Sequence, residues 1–330
     1  MSSLREVKDR IASVRSTLKI TSAMKLVASS KLRKAQRTIE ALRPYASALE
    51  EILAAVQGAP AVARPGMEGS PREPFSNGSV AVPECPQAPF SQVLWAPEDT
   101  PERRMMLLLA FSSNSSMCGA FNSNAIKRTL EEIRKASASG RQVEVWAFGK
   151  KMAEALRKNG TPATRDYSSL VAHADYSAVA AIAREIREMY AYGKIGGATL
   201  VYNHFVSTGR QQVLAEPYIG GAQYTDDQHF AEYPPAQQIG GNLDTTDLDY
   251  LLEPSRAELL EALLPQVGDL KLYAALLDSA AAEHAARMIA MQAATDNGET
   301  LLAELTLEYN KGRQQKITSE ILDLVSGAAV

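Results

Sequence analysis

A Ser- and Asn-rich segment with one cysteine, SSNSSMCGAFNSN at residues 112–124, has the residue types best suited to chemistry. It follows a short apolar run and opens a predicted helix. α/β proteins place ligand sites at such points, where free backbone N–H groups attract anions. Cys118 is a candidate nucleophile there, but an activated thiol needs a base and an orienting partner. Because Ser and Asn also favour capped, tightly packed turns, the pattern favours a structural turn and leaves an enzyme using Cys118 as an alternative.

Other residues that commonly carry catalysis are scattered along the chain. None of the four histidines (His173, His204, His229 and His284) is locally tied to Cys118. The sequence contains no G-x-x-x-x-G-K-[ST] motif, so it does not bind nucleotide through a P-loop. Cys85 and Cys118 form no C-x-x-C pair, which supports neither a disulfide scaffold nor a zinc site. We therefore predict no catalytic residue, no metal site and no cofactor.

Long heptad stripes at the two ends of the chain are the elements that must position everything between them. In the N-terminal stripe only Thr21 and Lys25 are not apolar, and its positions are Leu4, Val7, Ile11, Val14, Leu18, Thr21, Lys25, Ala28, Leu32, Ala35, Ile39, Leu42, Ala46, Leu49, Leu53 and Val56. The C-terminal stripe runs from Leu263 to Tyr309 and changes phase after Gly312 into Ile317, Ile321 and Leu324. Sustained heptads are typical of coiled coils, so the two ends are predicted to pair.

The length of these stripes indicates a mechanical or scaffolding element. About 55 helical residues, at roughly 1.5 Å each, make a rod of about 80 Å, which is longer than a compact domain needs. The N-terminal helix is also basic, because residues 1–43 hold eleven Lys or Arg against Glu6, Asp9 and Glu40. A basic helix of this kind can bind an acidic protein surface or nucleic acid. A coiled-coil scaffold or DNA-binding protein is therefore a second alternative.

The chain divides into five predicted parts. Residues 1–57 form the N-terminal coiled-coil helix, and residues 58–104 a Pro-rich insertion or linker that contains Cys85. Strands alternate with helices over residues 105–219, which predicts an α/β domain with mainly parallel strands. Residues 220–253 form an acidic insertion, and residues 254–330 the C-terminal coiled-coil helix. The predicted fold class is α/β plus a long antiparallel coiled coil, with the terminal helices paired as a rod around a central Rossmann-like domain.

Composition and charge restrict the cellular compartment in which the chain is expected. The net charge is −3, and no stretch reaches about 18 uninterrupted apolar residues, so no transmembrane helix is predicted. The start, MSSLREVKDR, lacks the apolar region of a secretory signal. With only two cysteines, a reducing cytoplasm is the expected compartment.

Three segments together resemble the gamma subunits of bacterial F-type ATP synthases. They are IASVRSTLKITSAMKLVASSKLRKAQ near the start, MCGAFNSN in the middle and EHAARMIAMQAATDNGETLLAELTLEYNKGRQQKITSEILDLVSGAA near the end. The resemblance covers both ends almost continuously and the middle more loosely. It departs at the central turn, where the family's usual S-D-x-G-L-C-G reads SNSSMCG, with Asn114 in place of the acid, Ser116 of the glycine and Met117 of the leucine.

The resemblance implies a central rotor shaft of a proton-translocating ATP synthase. The terminal helices would enter the hexamer of alpha and beta subunits, and the α/β domain would sit below with the epsilon subunit and the c-ring. Such a subunit is non-catalytic and takes part in ATP synthesis and hydrogen ion transport. It takes no cofactor and binds no nucleic acid. It is peripheral at the cytoplasmic face of the bacterial inner membrane, with an indirect membrane association through the c-ring.

The resemblance also implies six shaft contacts. Met24 and Lys25, in KITSAMK, would pass the acidic lever loop of the beta subunits. Arg287, together with Arg313, Gln314 and Thr318 in GRQQKIT, would form a polar catch with alpha and beta loops. A cation such as Lys25 is tolerable within an apolar stripe if it reaches an acidic partner or solvent.

Overall fold

The computed structural model describes residues 4–58, 105–220 and 255–328. Apart from Gly58 and Gly220, the insertions predicted at 58–104 and 220–253 lie outside the described residues, and Cys85 lies there with them. The elements in chain order are α1 (Leu4–Gly58), β1 (Met105–Phe111), α2 (Phe121–Ala138), β2 (Gln142–Phe148), α3 (Lys150–Lys158), β3 (Arg165–Asp166), α4 (Ser168–Ala172), α5 (Tyr176–Ala191), β4 (Gly197–Ser207), β5 (Arg210–Ile219) and α6 (Arg256–Ala328). No described helix is both long and apolar enough to cross a bilayer.

The helices α1 and α6 pair in antiparallel orientation, as the heptad stripes predict. Thr21 contacts Thr295, and Tyr45 contacts Gln266, so residue numbers rise along one helix as they fall along the other. Among the α1 residues whose burial the structure describes, the buried hydrophobic ones all lie on the predicted stripe: Val7, Ala28, Leu32, Leu49 and Val56. At about 1.5 Å per residue, the 73 residues of α6 span about 110 Å.

The C-terminal part of α6 extends beyond its partner. A Cβ atom placed on Gly312 would lie 3.5 Å from Leu4 Cδ2, so the described start of α1 reaches the level of Gly312. Beyond that level Ile317, Ile321 and Leu324 are 46%, 54% and 74% exposed. Among the residues that the structure describes, the stripe after the phase change therefore lies outside the paired seam. The free tip, defined here as residues 313–328, has no partner helix among the described residues.

The central domain is a five-stranded sheet in the order β3-β2-β1-β4-β5. The pairs β1–β2, β1–β4 and β2–β3 are parallel, and β4–β5 is antiparallel. The apolar run of β1 is buried on both faces, as its sequence predicts. The short pair β3 and α4 was absent from the sequence prediction, because a two-residue strand and a five-residue helix carry too little periodicity to detect.

Helices cover both faces of the sheet. On one face, Val179 and Ile186 of α5 and Leu272 and Leu276 of α6 pack against the β1 and β4 side chains. On the other face, Ala125 and Ile133 of α2 and Met152 and Leu156 of α3 pack against Leu108, Ala110, Val145 and Ala147. The helix α6 therefore serves two structures at once, since it is half of the rod and part of the core of the sheet domain.

Candidate functional site

The turn after β1 lies where doubly wound sheets usually place a ligand, between two strands whose connections leave in opposite directions. Here Cys118 and Phe121 pack against Ala282 and Ala286 of α6, and Phe205 packs beside them. The small alanine side chains let the helix backbone approach the turn closely. The usual ligand position of the fold is thus filled by α6, which makes the turn a junction between the sheet domain and the rod.

Hydrogen bonds fix the backbone of this turn. Ser112 N donates to Phe148 O at 2.7 Å, and Ser112 Oγ accepts from Met152 N at 2.9 Å. Gly149 must remain glycine, because a Cβ there would lie 2.2 Å from Ser112 O and its φ is +122°. The turn and the start of α3 therefore form one rigid unit.

Asn114, one of the residues at which the turn departs from the pattern it resembles, uses both ends of its side-chain amide. Its Oδ1 accepts from the first backbone N–H of α3, that of Lys150, at 3.1 Å. Its Nδ2 donates to Ser168 O at 2.8 Å. A carboxylate would supply the acceptor but not the donor, so Asn114 ties α3 to α4 in a way that an acid would not.

Cys118 is held as a structural residue. It is 2% exposed, and its Sγ accepts from Asn122 Nδ2 at 3.2 Å. Its other polar contacts among the described residues are Ser113 Oγ at 3.7 Å and Ser115 O at 4.0 Å. None of these groups is a base for a thiol, so the geometry does not support Cys118 as an activated nucleophile.

Arg287 links the turn to the shaft. Its Nη1 donates to Glu283 Oε1 at 2.6 Å within α6, and its Nη2 donates to Ser115 Oγ at 2.7 Å in the turn. Burial raises the pKa of Glu283, while Arg287 and Lys31 lower it. Because the guanidinium reaches a buried carboxylate and a hydroxyl of the sheet domain, the Arg287–Ser115 contact joins the two parts of the molecule.

The half-buried ring of His284 lies beside this link. The pKa of His284 is lowered to about 4. Burial is the largest cause, and the nearby positive charges of Arg287 and Lys31 add to it. Its Nδ1 is buried and has no hydrogen-bond partner in the described structure. A neutral ring is the form that fits this place between two helices and two cations.

The six predicted shaft contacts fall in three separate places. Met24 and Lys25 are half-buried on α1, close to the Thr21–Thr295 contact. Arg287 lies at the junction. Arg313, Gln314 and Thr318 are exposed on the free tip, where Thr318 Oγ1 donates to Gln314 O at 2.9 Å. Arg287 is about 39 Å along α6 from Arg313 at 1.5 Å per residue.

Two polar contacts of α6 with the sheet domain were not recognised from the sequence. Asp278 Oδ2 lies 2.5 Å from His204 Nδ1, and its Oδ1 accepts from Phe205 N at 2.9 Å. Asp269 pairs with Arg187 of α5. The available signal was an acidic residue within an otherwise apolar helix segment, which calls for a buried partner.

On the outer side of α1, a basic surface lies open. Arg33, Lys34 and Arg37 line a groove with Leu26 and Ser30 on this helix, and all three cations are exposed. Leu26 and Val27 are also exposed, at 71% and 56%. The described shaft thus presents cations together with apolar side chains to an approaching partner.

Comparison with known proteins gives consistent matches over the whole chain. The model of the family described as ATP synthase matches residues 3–330. The ATP synthase gamma chain of Bacteroides fragilis is 40% identical over 332 residues and covers 99% of each chain. The gamma chain of Flavobacterium johnsoniae is 35% identical over 328 residues, covering 99% of this chain and 98% of the relative.

Solved structures share the fold at low sequence identity. A chain of the Euglena gracilis mitochondrial ATP synthase matches with a TM-score of 0.56 and 15% identity, covering 99% of this chain and 93% of that chain. A central-stalk chain of the Tetrahymena thermophila mitochondrial ATP synthase matches with a TM-score of 0.51 and 20% identity, covering 83% and 99%.

Proposed function

The chain belongs to the ATP synthase gamma-chain family, and we propose that it is the central rotor shaft of an F-type ATP synthase. In this role it couples proton flow through the membrane sector to ATP synthesis and hydrolysis on the alpha–beta hexamer. One observation carries the proposal: α6 is at once half of a paired rod, part of the core of the sheet domain and an unpaired tip. Force applied to the sheet domain therefore reaches the tip through one continuous helix.

A shaft works by offering a different face to each neighbour as it turns. Each orientation stabilises a different nucleotide state in each beta subunit, which is a shift of populations driven by differential contact. An asymmetric rod suits this task because its two helices differ in charge and length. The chain itself is a non-catalytic subunit, and the bond-making residues belong to its neighbours.

The rod and the sheet domain are proposed to contact different partner subunits. The free tip and upper rod enter the alpha–beta hexamer, and the sheet domain meets the epsilon subunit and the c-ring. The protein is then peripheral at the cytoplasmic face of the bacterial inner membrane and is held there through the c-ring. The exposed Ile321, Leu322 and Leu324 support this arrangement, because an apolar tip needs a protein sleeve around it.

The predicted shaft contacts divide into two roles. Met24, Lys25, Arg313, Gln314 and Thr318 are proposed to contact alpha and beta loops. Exposure of the three tip residues supports a role toward a partner, since their side chains stabilise little of the isolated fold. Arg287 is proposed to act differently, because its guanidinium is already engaged by Glu283 and Ser115. It transmits force between the sheet domain and the shaft.

The two alternatives have less support. A DNA-binding or scaffolding role explains the basic face of α1, but relatives that match 99% of the chain are gamma chains. An enzyme using Cys118 lacks a base beside the thiol in the described structure.

Reconstitution tests the proposal. The purified full-length chain is mixed with the alpha and beta subunits of the same organism, and complex formation and ATP hydrolysis are measured. We expect a stable complex with one copy of this chain per hexamer. Duplex DNA is the parallel probe, and its binding should fall steeply as salt rises to about 0.15 M. Retained DNA binding at that salt, with no hexamer captured, would favour the DNA-binding alternative.

A further inference from the structure

Two helix-breaking residues of the rod lie at one level. Pro44 is inside α1 and Pro265 is inside α6. The residue that follows each proline makes a contact across the pair, because Tyr45 Oη donates to Gln266 Oε1 at 3.4 Å. The two prolines therefore face the same cross-section of the rod, although 221 positions separate the two contacting residues.

Each proline weakens its own helix at this level. Proline has no N–H to donate, and its ring crowds the carbonyl four residues earlier, which belongs to Glu40 in α1 and to Glu261 in α6. A single interruption in a two-helix rod is braced by the intact partner helix. Here both helices are interrupted at one level, so neither helix supplies an intact partner to the other at this cross-section.

The sheet domain grips α6 at this level. Arg187 is buried, with 7% of its surface exposed. Its Nη1 donates to Pro265 O at 3.2 Å, and its guanidinium pairs with the carboxylate of Asp269. Tyr218 Oη donates to Gly268 O at 3.0 Å, and burial raises the pKa of Tyr218, so the phenol stays neutral and keeps its proton. The clamp on the helix thus begins at the proline, where the helix is weakest.

We propose that the Pro44–Pro265 level is a compliant joint. The base segment is defined as residues 45–58 of α1 and 256–264 of α6. At the two prolines it bends and twists relative to the rest of the rod, which the sheet domain holds through Arg187 and Tyr218. Arg187 sets the resting angle, because it holds both the proline carbonyl and the carboxylate one turn later. This inference goes beyond the rotor role: it concerns where the rod yields, and it is testable without ATP synthase activity.

Amide hydrogen exchange of the purified full-length chain, read by mass spectrometry, tests the joint. In the unchanged chain we expect the amides of 40–48 and 261–269 to exchange at least about ten-fold faster than those of 28–36 and 277–285. The double variant Pro44→Ala with Pro265→Ala restores both helix donors. It should slow exchange in the first two windows by about ten-fold and leave the other two unchanged.

Two further variants keep the test specific. Pro162→Ala removes an exposed proline in the sheet domain and should leave all four windows unchanged. Arg187→Gln should speed exchange in 265–269 while the circular dichroism spectrum stays that of the folded chain. Equal exchange in all four windows of the unchanged chain would overturn the proposal. It would be overturned equally by a double proline variant that exchanges no more slowly than Pro162→Ala.

Discussion

The hydroxyls of Thr21 and Thr295 lie 3.0 Å apart across the seam of the rod. Thr295 Oγ1 donates to Thr21 Oγ1 and also lies 2.8 Å from Met291 O, a second acceptor for the same proton, while Thr21 donates its own proton to Leu18 O at 3.1 Å. Thr21 is 9% exposed, so the pair sits in a seam that is otherwise mostly apolar. A hydroxyl pair there favours one register of the two helices, because a slip along the seam would leave both groups facing methyl groups.

Replacing the hydroxyls tests this register contact. Thr21→Val or Thr295→Val alone should cost about 1 kcal/mol of unfolding free energy, because one buried hydroxyl loses its partner. The double variant should cost less than the sum, with a coupling of about 0.5–1 kcal/mol, as measured by urea denaturation in a double-mutant cycle. Strict additivity of the two single changes would show that the hydroxyls do not interact.

Two glycines of α6 should respond in opposite ways to a larger side chain. A Cβ at Gly298 would lie 2.7 Å from Leu18 Cδ2, whereas one at Gly312 would lie 3.5 Å from Leu4 Cδ2, an ordinary contact. Gly312→Ala should stabilise the chain by up to about 1 kcal/mol through helix propensity. Gly298→Leu should destabilise it by about 2 kcal/mol or more through overpacking, seen as a lower thermal midpoint. Similar midpoints for both variants would contradict the seam geometry.

Acid should destabilise the fold through His284. Its pKa is about 6.5 in the unfolded chain and about 4 in the folded one. As pH falls, the His284 ring of the unfolded state therefore takes up a proton before that of the folded state. The folded chain thus loses free energy of unfolding progressively between pH 6.5 and pH 4. His284→Gln should be more stable than the unchanged chain by up to about 2 kcal/mol at pH 5 and should lose this advantage at pH 7. The exposed His173→Gln is the control, and an identical pH profile for both variants would disprove the assignment.

Removing the guanidinium at the junction should expose the cost of burying Glu283. Arg287→Gln leaves that carboxylate without its charged partner and should destabilise the chain by about 3 kcal/mol. Adding Glu283→Gln should recover most of the loss, since no charge is then buried. Ser115→Ala removes only the contact to the turn and should cost about 1 kcal/mol. Denaturant unfolding measures all three, and failure of the second change to rescue the first would rule out the buried-carboxylate explanation.

Tip variants should separate assembly from coupling. Arg313→Ala combined with Gln314→Ala removes two exposed side chains, so the thermal midpoint of the isolated chain should stay within about 2 °C. In the assembled complex, coupled ATP turnover should fall several-fold while subunit content is unchanged. Lys316→Ala, an exposed cation on the same tip, is the matched control. Equal losses of assembly and turnover would count against a contact role.

The sequence predicted the rod and most of the sheet because both depend on long periodic patterns. The five buried hydrophobic residues of α1 were all on the heptad stripe. The alternation of strands and helices predicted over residues 105–219 matches the described domain, whose five strands all lie in that range, because its apolar segments are flanked by turn residues. The end of the paired seam was not predicted, because a stripe in one helix does not reveal where its partner helix begins.

The junction was only partly predictable. The turn at 112–124 was recognised as unusual, and its reading as a packed turn agrees with the buried Cys118. The bond from Arg287 to Ser115 spans 172 positions, and no local pattern encodes such a contact. The same holds for Arg187 with Asp269 and for His204 with Asp278, where the sheet order determines which side chains meet.

The antiparallel pairing of the first and last helices also affects how the chain folds while it is being synthesised. Thr21 leaves the ribosome 274 residues before Thr295, and at about 5–20 residues per second this interval lasts roughly 14–55 s. During that time the apolar stripe of α1 has no partner from its own chain. The exposed stripe makes the newborn chain prone to aggregation until α6 is complete, and truncated products that lack α6 are expected to aggregate.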